Sequence, residues 1–113
     1  MPVADAAAIV GEWRVAGTTD RALDLPHGMM ATITPATIRI VSQCKELNWS
    51  YRLARGVVRM KPFLSSKPPC LRESSLEEFR VERAMNGARN VRRHESGALV
   101  FSGSAGSVSL FTQ

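Results

Sequence analysis

Leu47, Trp49, Tyr51 and Leu53 recur at every second position. A period of two is that of a strand with one face turned to a core; on a helix these four side chains would fall on opposite sides. Arg55-Gly56 follows, and a glycine able to take positive φ marks a tight hairpin turn. The returning strand runs over 57–63, and Pro68-Pro69 ends its pairing because proline has no N–H to donate. The centre of the chain is therefore an antiparallel hairpin with an aromatic face to bury.

The flanking sequence extends this pattern. Residues 3–8 are small and apolar, an ordered lead-in, and 9–16 read as a first strand with Trp13 and Val15 on one face and Glu12 and Arg14 on the other. Residues 17–27 are polar and end in Pro26-His27, which predicts a loop. A β-prone segment at 29–34, a turn at Pro35-Ala36 and a β-branched strand at 37–42 follow. After Cys70 the pattern changes. Ser75-Leu76-Glu77-Glu78 is a capping box, in which Ser75 and Glu78 each satisfy the other's backbone N–H at the start of a helix. The helix is expected to reach about Met85 and stop at Asn86-Gly87. Val81, Ala84 and Met85 share a face with Ala88, while Leu76 and Phe79 lie nearly opposite, so both sides should be partly buried. Strands at 89–95, 98–101 and 108–111 close the chain, with turns at Ser96-Gly97 and 103–106. The expected fold is mainly β with one α-helix: a small antiparallel barrel or sandwich packed around or against the helix, forming one domain over residues 1–113.

The aromatic share is only 6%, so the core must rest on aliphatic residues. No apolar run is long enough to span a membrane as a helix. The net charge of +5 favours acidic partners. Arg80, Arg83, Arg89, Arg92 and Arg93 concentrate it over the helix and the next strand, as an anion-binding patch or as a solvated face. Few aromatics accompany them, which argues against nucleic acid.

No catalytic constellation emerges, and no cofactor is implied. Ser42-Gln43-Cys44-Lys45 matches Ser-x-x-Lys, but that motif needs to open a helix to bring nucleophile and base together, and here it follows a strand. His27 and His94 are the only histidines, and no His, Cys or Asp cluster has the spacing of metal ligands. Glu78 reads as a cap and Glu82 as its neighbour one turn on, not as an acid-base pair. Trp13, Trp49 and Tyr51 read as packing. Cys44 and Cys70 form either a disulfide or two buried thiols; the residues alone leave this open.

Taken in order, these features resemble the META domain, or heat-shock protein HslJ, family. Trp13 stands for the tryptophan of its opening strand. Gln43-Cys44-Lys45 stands where the family carries Gly-Cys-Asn, and Trp49-Ser50-Tyr51 resembles its tyrosine step. Gly56 fits the hairpin, the stretch ending in Cys70 the second cysteine segment, and Glu78-Phe79 the helix. Ser96-Gly97-Ala98-Leu99 and the stretch 108–111 fit the tail. The departure is at Gln43 and Lys45. The resemblance implies a Cys44–Cys70 disulfide and a bacterial envelope address, periplasmic or as an outer-membrane lipoprotein, with the export signal removed ahead of this chain. It implies no enzyme activity. The expected role is a monomeric domain contacting an anionic envelope surface or a protein, in the setting of envelope stress or antibiotic tolerance. A rival resemblance rests on Gly11-Glu12-Trp13, which is similar to the Gly-x-Trp start of lipocalins and of bacterial metalloprotease inhibitors. That likeness implies a protease inhibitor or a carrier of an apolar ligand.

Overall fold

The alternation at 47–53 becomes the inward face of the longest strand of a closed barrel. The computed structural model describes residues 6–19, 21–22, 28–65, 70–71 and 73–112. Within them the strands are β1 (Gly11–Thr18), β2 (Arg21–Ala22), β3 (Met30–Ile33), β4 (Thr37–Ser42), β5 (Lys45–Ala54), β6 (Val57–Phe63), β7 (Ala88–Arg93), β8 (Leu99–Gly103) and β9 (Gly106–Thr112), with helix α1 (Leu76–Asn86) between β6 and β7. All pairings are antiparallel between sequence neighbours, apart from β1, which pairs β2, β3 and β9. The β1–β9 pairing closes eight strands into a barrel, and the two-residue β2 only extends the end of β1.

Closure decides which residues are buried. A closed sheet has one solvent face and one lumen, so the inward member of each alternating pair becomes core. Trp49, Phe101, Ile38, Ile40, Leu99 and Leu110 lose essentially all contact with solvent. Trp13, Val15 and Tyr51 are buried with them. Each such burial is worth about 1.5–3 kcal/mol, and together they fill the lumen with side chains.

The first strand runs further than its sequence suggests. Gly17 and Thr18 are not loop but strand, paired with Ser109 and Val108. A register shift between Val15 and Gly17 breaks the alternation there, which is why the composition reads as a loop. The rest of the expected loop, including His27, falls largely on residues outside those described, as do Pro68 and Pro69. Among the turns with positive φ are Arg55 and Gly56 at 53° and 78° between β5 and β6, as the hairpin signal required, and Gln43 at 54° between β4 and β5.

The barrel is weakest between β6 and β7, which share the single register pair Val57–Asn90 and the bond from Val91 N–H to Gly56 O at 2.8 Å. The helix lies against β9, β8, β6 and β1. Its capping box forms as expected: Glu78 N–H donates to Ser75 Oγ at 3.2 Å, and Ser75 N–H to Glu78 Oε1 at 2.7 Å. Val81, Ala84 and Met85 pack inward. Burial on both helix faces is not found. Leu76 and Phe79 remain 59% and 52% exposed, because the barrel covers only one side. Gly87 ends the helix at φ −92°, so positive φ is not what it supplies. Instead it lets the helix end sit against the β8–β9 turn: a Cβ there would come within 2.9 Å of Ala105 Cβ. Gly103 makes the reciprocal contact, and a Cβ on it would overlap the Gly87 carbonyl oxygen outright.

The opposite end of the barrel is closed by the N-terminal lead-in. A 3-10 turn at Ala6–Ala8 delivers Ile9 into the core, where it is fully buried. Trp13 Nε1 donates to Ile9 O at 2.9 Å, and Ile9 N–H to Ala6 O at 3.1 Å.

Candidate functional site

The features with chemical character gather at the helix end of the barrel. The β4–β5 turn there holds Cys44, which is bonded to Cys70 just ahead of the helix, with Cα atoms 5.5 Å apart. The disulfide therefore fixes the approach to the Ser75 cap. Beneath it, the Glu78 side chain is buried by the fold. A cavity of about 20 Å³ beside it is lined by Ser42, Lys45 and Ser74, with Met29 and Leu47. That volume holds roughly one water molecule.

Ser42 and Lys45 are register partners across the turn, so the Ser-x-x-Lys spacing does bring them onto adjoining positions. Ser42 is only 3% exposed and lines that one-water cavity. A nucleophile must meet its substrate, and burial works against that for this hydroxyl. His94 is exposed and serves its own turn. Its Nδ1 accepts from Ser96 N–H at 3.1 Å and lies 2.9 Å from Ser96 Oγ, which places the proton of the neutral ring on Nε2. No group of three or more His, Cys, Asp or Glu able to hold a metal occurs among the described residues.

Two clefts flank the helix. The larger, about 930 Å³, runs past the disulfide between Gln43, Lys45, Leu64 and Glu82. It continues to Pro62 and Phe63, above the bond in which Trp49 Nε1 donates to Asn86 Oδ1 at 2.7 Å. The second, about 290 Å³, is lined by Thr18, Thr19, Arg80, Arg83, Ala84 and Ala105. Around this end the connection from β6 and the outer helix face expose apolar side chains: Phe63, Leu76 and Phe79 about half, Leu64 and Leu71 almost completely.

The five arginines are thus not one patch. Arg80 and Arg83 share the smaller cleft. Arg93 lies at the other end of the barrel, its guanidinium 5.5 Å from the Trp13 ring centre and its Nη2 donating to Ala8 O at 3.1 Å. Trp13 and Thr18 are five strand residues apart, about 16 Å. Arg89 and Arg92 are exposed on β7. Strand alternation turns Arg92 outward and Arg93 toward the barrel mouth, which separates neighbours in sequence. Asn86 carried no sequence signal beyond its place at the helix stop, yet it satisfies the indole N–H of a tryptophan that is 1% exposed. No family model, curated protein or solved structure matches the chain.

Proposed function

We propose that this is a non-catalytic binding domain of the META/HslJ type, working in a bacterial cell envelope through the surface at its helix end. The observation that carries the reading is the set of exposed apolar side chains there, led by Leu64 and Leu71 at 95% and 94% exposure, on a barrel whose lumen is filled. Apolar surface concentrated at one end marks contact with a partner, whereas a carrier needs an empty interior. The Cys44–Cys70 bond supports an oxidising compartment, since cytosolic thiols are kept reduced. The placement of the helix before the last three strands supports the family reading. Partners of this surface would be an envelope protein or an anionic envelope surface, and stress response or antibiotic tolerance is the physiological setting.

The inhibitor reading has one observation in its favour, the closed order of consecutive antiparallel strands that such barrels share. Against it, the described part of the N-terminal arm is packed onto the barrel through Ile9 and Ala8 and not extended.

The test is cell fractionation of the expressing organism with thiol alkylation before and after reduction. The expected result is an envelope fraction in which both cysteines resist alkylation until reduced. Protein in the cytosolic fraction with two free thiols would refute the compartment. Saturable binding of an apolar fluorophore, abolished by filling or emptying the lumen at Trp49, would refute the surface reading in favour of a carrier.

A further inference from the structure

The cleft between the helix, the end of β1 and the β8–β9 turn is a site by its own construction, whatever family or compartment the chain belongs to. Arg80 and Arg83 stand three positions apart, on one side of α1, and both line it. Its floor is made of small residues. Ala84 and Ala105 line it, and Gly106 sits so close beneath that a Cβ would come within 2.6 Å of Thr19 Oγ1. Thr19 is held in place by Thr19 N–H donating to Ser107 O and Ser107 N–H donating to Thr19 Oγ1, both at 3.0 Å. With Oγ1 accepting from the backbone, its own O–H is left to donate.

Two guanidinium groups one helical turn apart repel each other unless an anion lies between them. Arg83 has Phe79, Arg80, Asn86 and Gly87 at the neighbouring helix positions, none acidic; Glu77 lies one turn before Arg80, on the side away from Arg83. Among the described residues no carboxylate is hydrogen-bonded to either arginine. Arg83 in the last turn also complements the negative end of the helix dipole. That accounts for one arginine at the helix end, not for a second beside it over an open cleft.

We propose that Arg80 and Arg83, with the Thr19 hydroxyl, bind a phosphate group. Each guanidinium offers a planar fork of N–H donors that matches phosphate oxygens. The space of about 290 Å³ corresponds to roughly ten waters at ~30 Å³ each, enough for a phosphate and a small organic substituent. Among the described residues the lining holds no aromatic ring, which disfavours a nucleobase. The phosphate can belong to a soluble ester or to an anionic lipid headgroup.

The experiment is an NMR titration of the whole ¹⁵N-labelled domain with inorganic phosphate, with chloride at matched ionic strength as the control. Saturable shifts confined to Thr19, Ala84 and Ala105 amides are expected. R80Q and R83Q should each weaken binding about tenfold or more, the effect of losing a charge-assisted hydrogen bond, with melting moved by no more than the few degrees that the lost helix-dipole contact of Arg83 explains. R89Q/R92Q, which removes two charges elsewhere where each single variant removes one, should leave it intact. Shifts that do not saturate, or an equal loss in R89Q/R92Q, would overturn the site. So would binding that appears only in D20N, because Asp20, which follows Thr19 in sequence, would then be the arginines' internal partner. Binding to phosphatidylglycerol vesicles but not phosphatidylcholine vesicles, lost in R80Q/R83Q, would assign the phosphate to a lipid headgroup. Phosphate binding without vesicle binding would assign it to a soluble ester.

Discussion

Removing the Cys44–Cys70 bond should be the largest change available at the helix end that leaves the barrel core untouched. The bond spans a sequence separation of 26. In the chain-entropy account, opening a loop of that length frees the unfolded chain by about 12 cal/mol/K, or about 3.5 kcal/mol at room temperature. Little packing is lost with it, because Cys44 is exposed and Cys70 only half-buried. For a domain of this size each kcal/mol moves the melting temperature about 4 °C, so the fall should be about 14 °C. The assay is urea and thermal unfolding of the Cys44→Ala/Cys70→Ala double variant beside the oxidised parent, with the parent under reductant as a second route to the same state. Far-ultraviolet dichroism should show the barrel and helix still formed in the native baseline. A double variant melting within about 3 °C of the parent would refute the reasoning. It would mean that the unfolded chain already keeps the β4–β5 turn close to the segment before the helix, so that the bond restrains nothing.

The remaining outcomes each follow at a single residue. Gly103→Ala drives a Cβ into the Gly87 carbonyl and within 2.8 Å of the Gly87 carbonyl carbon, so it should cost about 3 kcal/mol in urea unfolding. Gly97→Ala, where φ is +91° and no atom lies within 4 Å, should cost only about 1 kcal/mol. Gln43→Gly should stabilise by about 0.5–1 kcal/mol, because Gln43 is exposed and holds φ 54° where glycine is unstrained; a loss of stability would contradict this. Asn86→Ala leaves the Trp49 indole N–H without its partner and should cost about 1–2 kcal/mol. Burial pushes the Tyr51 phenol above its ordinary pKa of 10.0. The folded state then holds its proton more tightly than the unfolded state, so this contribution is complete below pH 10 and lost as pH rises through the folded pKa. Tyr51 is the only tyrosine, so absorbance titration of the native protein reads it directly, and Tyr51→Phe should flatten alkaline unfolding.

Local physics made most of the fold legible. The inward row 47–53, the Arg55-Gly56 hairpin and the Ser75–Glu78 capping box are decided by residues within a few positions of one another, and each appears as read. The continuation of β1 through Gly17 and Thr18 was illegible because a bulge reverses the alternation, and only pairing with β9 reveals the strand. The exposure of Leu76 and Phe79 differs from the sequence expectation for a related reason. A helix's apolar residues show what it is able to bury, while the number of faces covered depends on what lies across from it.

The candidate site divides in the same way. The residues alone left Cys44 and Cys70 as either a disulfide or two buried thiols, and placed five arginines over the helix and β7. They could not tell that strand alternation sends Arg93 to Trp13 while Arg80 and Arg83 face Thr18 and Thr19. The amino-acid order alone determined the central hairpin, its turn and the helix cap, because those depend on dihedral preference and on hydrogen bonds between near neighbours. Tertiary structure alone decided that the strands close into a barrel, that the lumen is filled, and that Gly87 and Gly103 must lack side chains. Those outcomes rest on contacts between residues far apart in the chain, whose distance no local pattern encodes.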